Sequence, residues 1–243
     1  MIVVDASRAA RSLAVFVWRL CRRHRWSLPL TIGAVLCFVR LAREMQEGEV
    51  DVFDKLLQGM VDVWRGSLDT LMLACTRWGG VLPMTVTSAG IVLLLLLVHR
   101  AKEARYLMFG AGGGLLLNLL LKELFHRARP NADFVYLLPS LSSLSFPSGH
   151  TMGTTSVVGS LVVILHVVKA PRGVRLASIL LGSAAIVGVG LSRVYLGAHY
   201  PSDVIGGLLA AAAWVSVVTG LMYPHLLPGE GAAPGAARAG SGS

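Results

Sequence analysis

The chain has 243 residues, 54% of them hydrophobic and 14% charged, and its 22 Lys and Arg exceed its 13 Asp and Glu by +9. Soluble domains carry about a quarter charged residues, so these values exclude an ordinary soluble globular protein and leave a polytopic membrane protein as the economical class. In a soluble chain the positive excess would suggest nucleic acid; here it is dispersed among loops between apolar runs, and no nucleic-acid partner is read from it.

The first 25 residues form a basic arm (Arg8, Arg11, Arg19, Arg22, Arg23, Arg25) ahead of an apolar run. This resembles the start of a signal peptide, but no small-x-small cleavage site follows, and the run ends at Arg40 and Arg43, so it reads as an uncleaved first anchor. Six apolar stretches, 26–41, 81–98, 106–121, 151–168, 176–191 and 204–222, are predicted as membrane-crossing helices. Sorting the connections by sign gives a consistent topology. The basic arm, the segment with Arg100, Lys102 and Arg105, and the segment with Lys169, Arg172 and Arg175 fall on one side, which the positive-inside rule assigns to the cytoplasm. The opposite face receives the acidic loop 44–80.

Within that loop Val50, Phe53, Leu57, Met60, Val61 and Trp64 recur at helical spacing against Asp51, Lys55, Gln58 and Asp62, which predicts an interfacial amphipathic helix serving as a lid or as a structural cover. Gly110, Gly112, Gly113 and Gly114 lack the strand and the Lys-Ser/Thr of a phosphate loop and are assigned to close helix packing; Asn118 is assigned to an interhelical hydrogen bond. Cys21, Cys37 and Cys75 show neither metal nor disulfide spacing. The tail 224–243, rich in Gly, Ala, Pro and Ser, is expected to be disordered. The fold class is thus all-α: a six-transmembrane-helix bundle over 26–223 with an outer interfacial helical segment at 44–80.

Three polar islands fall at the ends of the apolar runs, all on the acidic face: Lys122 with Arg129-Pro130, Pro147-Ser148-Gly149-His150, and Ser192-Arg193 with His199 and Asp203. A transferring phosphoryl group spreads negative charge over several oxygens, which fixed cations and N–H donors can hold. Lys122, Arg129 and Arg193 supply the cations, and Ser148 and Gly149 open a helix whose free N–H groups attract an anion. His150 is placed to protonate a leaving oxygen, and His199 to attack, with Asp203 four residues on to orient it. Singly, each cation reads better as a snorkelling helix end, and each histidine can be read as an interfacial one; three islands on one face alter that balance. A zinc site from His150, His199 and Asp203 competes on ligand type, but three neighbouring cations would repel a divalent ion. No metal and no cofactor are read.

The patterns K-x6-R-P, P-S-G-H and S-R-x5-H-x3-D resemble the three-part signature of the type 2 phosphatidic acid phosphatase (PAP2) superfamily, which also includes vanadium haloperoxidases and glucose-6-phosphatase. The resemblance implies metal-independent hydrolysis through a phosphohistidine on His199, with His150 as acid, Asp203 as orienter, and Lys122, Arg129, Ser148, Gly149 and Arg193 around the phosphoryl group. It implies as substrate, for bacterial membrane members, a lipid phosphate such as phosphatidic acid, phosphatidylglycerol phosphate, undecaprenyl diphosphate or lipid A, and the charge topology turns the site outward from a bacterial inner membrane. A phosphotransferase sharing the intermediate and a non-catalytic lipid-phosphate-binding protein are the alternatives; the oligomeric state is not legible.

Overall fold

The computed structural model describes residues 27–130 and 144–223. The predicted basic arm, the tail and Cys21 lie outside them. Eight helices follow one another among the described residues, with no strand: α1 Ser27–Gln46, α2 Asp51–Asp62, α3 Asp69–Trp78, α4 Val81–Leu97, α5 Ala101–Phe125, α6 Gly149–Val167, α7 Arg172–Tyr195 and α8 Pro201–Met222. Except for α4, the helices that match apolar stretches overrun them at one end or both, because their polar ends are satisfied locally. Thus α1 continues to Gln46 on the pairs Arg40–Glu44 and Arg43–Glu47, both 2.8 Å and four residues apart.

Four helices, α5 to α8, are long and apolar enough to cross a membrane, and a fifth crossing results if α3 and α4, bent by 49° at Gly79–Gly80, are one broken span. The α1 helix has 20 residues, but Arg40, Arg43 and Glu44 break its apolar run, so the predicted count of six does not follow from length and composition. The more buried α6 and α8 occupy the centre, with α1 and α5 against α8, and α5 and α7 against α6. Outside, Leu36, Leu93, Leu97, Leu120 and Leu181 are exposed, as expected of side chains solvated by lipid tails rather than by water.

Close contacts between α5 and α6 explain the glycines of 110–114. A Cβ on Gly110 would lie 2.2 Å from Ser160 Oγ, and one on Gly114 would lie 2.4 Å from Ser156 Oγ. These are the small-residue faces that let membrane helices approach. Gly113 similarly admits the Trp214 ring, whereas Gly112 faces open space.

The segment between α1 and α4 is tied down at the end of the bundle where α5 and α7 finish and α6 and α8 begin. Tyr195 of α7 donates to Asp69 Oδ1 (2.6 Å) and to the Trp64 carbonyl (2.9 Å). In α2 the inward face consists of Val50, Asp54, Leu57 and Val61, while Phe53, Met60 and Trp64, grouped with that face from the sequence, are exposed alongside Val52, Leu56 and Val63.

Candidate active site

Chain direction alone brings the three islands together. The carboxyl ends of α5 and α7 and the amino ends of α6 and α8 share one end of the bundle, so Lys122, Ser148-Gly149-His150, Arg193 and His199-Asp203 meet there. His150 lies within electrostatic reach of Arg193, His199, Arg129 and Lys122.

The amino terminus of α8 is built by its own first turn. Pro201 starts the helix with its fixed φ, and Asp203 Oδ2 accepts the Tyr200 N–H at 2.9 Å. The same oxygen lies 3.3 Å from His199 Nδ1 and also accepts from Ser145 Oγ. Ser145 Oγ is itself 3.3 Å from His199 Nδ1. With a proton on Nδ1 shared toward this carboxylate, Nε2 keeps its lone pair, and it lies 3.3 Å from Arg129 Nη1. His199 is 1% exposed. Burial, aided by Arg193 and Arg129 and opposed by Asp203, lowers its pKa to about 4, so the ring is neutral at neutral pH.

Ser148 caps α6: its Oγ accepts from Thr151 N (3.5 Å) and Thr151 Oγ1 (3.1 Å), leaving its hydroxyl proton to donate. Its N–H donates to the Asp203 carbonyl at 2.9 Å, which links the two helix starts directly. That link requires Gly206 and Gly207, since a Cβ on Gly206 would lie 2.5 Å from the Phe146 ring and one on Gly207 2.7 Å from the Ser148 carbonyl oxygen. Asn118 of α5 supports the loop from beneath, donating to the Pro147 carbonyl at 3.1 Å. The first N–H groups of α6, at Gly149 and His150, have no acceptor within the helix and carry the positive end of its dipole.

The cations are held by backbone and hydroxyl oxygens. Lys122 Nζ donates to the Leu144 carbonyl, and Arg129 Nη1 to the Ala198 carbonyl at 2.7 Å. Arg193, 1% exposed, donates through Nη1 to Thr76 Oγ1 of α3 at 2.5 Å. Its Nε–H has no hydrogen-bond partner among the described residues, an open donor in a buried charged group. Among the described residues no three His, Cys, Asp or Glu side chains form a metal-binding group.

Sequence reasoning passed over Ser145, Thr76, Arg127 and Asp54, all of which touch signature residues or their immediate neighbours. Asp54 alone carried a signal: it shares the helical face of Val50, Leu57 and Val61, a carboxylate where an apolar residue is expected.

The sequence profile of the PAP2 superfamily matches residues 103–225. Phosphatidylglycerophosphatase B of Bacillus subtilis is 31% identical over 183 residues, covering 72% of this chain and 86% of its own. Lipid A 1-phosphatase of Rhizobium etli is 38% identical over 117 residues, 45% of each chain. The crystal structure of a transmembrane PAP2 type phosphatidylglycerolphosphate phosphatase from Bacillus subtilis superposes with a TM-score of 0.71 at 28% identity, covering 79% of this chain and 94% of that one. On sequence and fold alike, the chain belongs to the PAP2 superfamily and is a phosphatase built into a membrane helix bundle.

Proposed function

We propose that this protein hydrolyses a phosphomonoester or diphosphate of a membrane lipid through a phosphohistidine on His199, without a metal ion. The observation that carries this reading is the buried, neutral His199, with Nδ1 3.3 Å from Asp203 Oδ2 and Nε2 3.3 Å from Arg129 Nη1. An imidazole with its lone pair aimed among guanidinium groups is suited to attack a phosphorus atom whose oxygens those groups hold.

In this mechanism Arg129, Arg193, Lys122, the Ser148 hydroxyl and the Gly149 N–H bind the phosphoryl oxygens, with the open Arg193 Nε–H among the donors. His199 Nε2 attacks phosphorus, the bond to the leaving oxygen breaks, and protonated His150 gives that oxygen a proton. The phosphorylated imidazole is cationic, and Asp203 stabilises it through Nδ1–H. Neutral His150 next takes a proton from water as its oxygen attacks phosphorus. The P–N bond breaks, the electron pair returns to Nε2, and inorganic phosphate leaves.

A lipid substrate is supported by an apolar cavity of about 390 Å³ between α4, α5 and α6, walled by Met84, Val92, Leu107, Met108, Leu115 and Val157 and reaching Gly149. It offers a hydrocarbon tail a place beside the headgroup site. We read 26–223 as one six-span unit, with α1 first and the outer segment 44–80 carrying the interfacial helix α2, whose exposed Val52, Phe53, Leu56, Met60, Val63 and Trp64 suit the headgroup boundary. The basic links at 98–100 and 168–172 lie at the end away from the site, so the positive-inside rule points the site outward, to the periplasmic side of a bacterial inner membrane.

Purified protein offered phosphatidic acid, phosphatidylglycerol phosphate, an isoprenyl diphosphate and lipid A, with chelator throughout, is expected to release phosphate from at least one. Quenching with a radiolabelled substrate is expected to trap an acid-labile phosphoenzyme that His199→Asn lacks. Activity seen only after a divalent metal is added, or trapping that persists in His199→Asn, would refute the mechanism.

A further inference from the structure

Behind the catalytic pair lies a second layer of charge that the motif does not contain. Asp54, on α2, is 1% exposed. Its Oδ1 accepts the Ser202 N–H at 2.8 Å, and its Oδ2 accepts from Ser202 Oγ at 2.6 Å and from Arg127 Nη2 at 2.9 Å. Arg127 in turn donates through Nη1 to Asp203 Oδ1 at 2.7 Å and to Ser202 Oγ at 2.7 Å, with its guanidinium carbon 4.1 Å above the centre of the Tyr200 ring. The guanidinium thus bridges two buried carboxylates from helices far apart in sequence.

This bridge divides the two oxygens of Asp203 between different tasks. Oδ1 is occupied by Arg127, so Oδ2 is left to face His199, Ser145 and the Tyr200 N–H. A carboxylate gripped at one oxygen by a planar fork cannot swing about its terminal torsion, and that torsion is otherwise broad. Arg127 itself needs a second anion: a buried guanidinium facing one carboxylate that is already shared with an imidazole would be poorly compensated. Asp54 supplies that anion. Burial alone would weaken the charge of Arg127, but Asp203 and Asp54 together hold its pKa above the ordinary value.

We propose that Asp54 and Arg127 are positioning residues of the catalytic centre: Asp54 fixes Arg127, Arg127 fixes Asp203 Oδ1, and Oδ2 is thereby aimed at His199. The outer helix α2 is then a working part of the site and not a movable lid, since lifting it would break the Asp54–Arg127 pair and leave Arg127 facing Asp203 alone. The inference rests on the role given above to His199 and Asp203.

The test is a double-mutant cycle on Asp54→Asn, Arg127→Gln and the double variant, with Arg127→Lys added and folding checked by thermal unfolding in detergent. Using dioctanoyl phosphatidic acid, Arg127→Gln is expected to lower kcat about 10²-fold and Asp54→Asn about tenfold, with KM changed less than threefold, because neither residue touches substrate. Since Asp54 acts through Arg127, the double variant should be no slower than Arg127→Gln alone; losses that multiply would overturn the proposal.

A second measurement does not depend on turnover. His199 is faced by Asp203 of α8, Arg129 of the segment after α5, Arg193 of α7 and His150 of α6. Arg127→Lys keeps the charge but loses the fork that aims Asp203 Oδ2, so the His199 titration followed by NMR on histidine-labelled protein should move downward from about 4 in Arg127→Lys and should not rise in Asp54→Asn. An unmoved titration in folded Arg127→Lys would refute the proposal. Failure of wild-type protein to hydrolyse the probe, with the titration shifting as stated, would count against the substrate reading and not against the positioning role.

Discussion

Replacing Gly207 by alanine tests whether the P-S-G-H segment must sit as close to α8 as it does. The new Cβ would lie 2.7 Å from the Ser148 carbonyl oxygen and 3.3 Å from Met152 N. Both are backbone atoms, with no flexible side chain to swing aside, and ordinary contact begins at 3.4 Å, so the start of α6 has to retreat by about 0.7 Å. That retreat moves the Gly149 N–H and His150 relative to His199. Misplacement by about 1 Å costs on the order of 10²-fold in rate, so a 10- to 100-fold fall in kcat is expected. Overpacking costs about 1–3 kcal/mol, partly offset by the roughly 1 kcal/mol that alanine gains over glycine in a helix. The expected signature is therefore a large loss of turnover with a small loss of stability. Gly159→Ala is the control: its Cβ meets only Val215 methyls at 3.7 and 3.8 Å, and wild-type kcat is expected. Phosphate release and thermal unfolding in the same detergent supply both numbers. If Gly207→Ala keeps kcat within twofold, the close approach has no bearing on the chemistry and the reasoning is wrong.

In the proposed mechanism neutral His199 attacks and its pKa is lowered to about 4, so the acid limb of kcat/KM, about tenfold per unit, should appear only below about pH 4, while loss of the His150 proton lowers the rate on the alkaline side. An acid limb centred near 6.5 in the pH–rate profile, the ordinary histidine range, would contradict the burial of this ring. Arg193→Lys keeps a charge but loses the open Nε–H and the planar fork, and is expected to cost about 10²-fold in kcat and to weaken inhibition by vanadate; an unchanged vanadate constant would remove Arg193 from the cradle. Asn118→Leu leaves the buried Pro147 carbonyl without its donor, so the unfolding free energy in micelles should fall by about 1–3 kcal/mol together with kcat. Stability equal to wild type would show that this hydrogen bond does not hold the loop.

The sequence made the helical class legible because lipid imposes it: apolar runs near 20 residues have few other ways to satisfy their backbone. The ends of those runs were less legible. The first predicted stretch stops at Leu41, but α1 runs on to Gln46 because Arg40 pairs with Glu44 and Arg43 with Glu47. The inward face of α2 was also partly misassigned. Phe53, Met60 and Trp64 are as apolar as Leu57 and Val61, so periodicity alone could not separate a protein-facing stripe from a neighbouring exposed one.

What the chain order settled by itself is local and directional. Alternating crossings put the carboxyl ends of α5 and α7 beside the amino ends of α6 and α8, and four residues between His199 and Asp203 suffice for a carboxylate in a first helical turn to reach back to an imidazole. Only the tertiary structure decided which partners hold those groups in place. Asp54 and Ser202 are 148 positions apart, and Arg193 and Thr76 are 117 apart. Such pairings carry no spacing rule; they exist because α2 and α3 are laid across the ends of α7 and α8, where a buried charge must find an opposite charge or a hydrogen-bond acceptor.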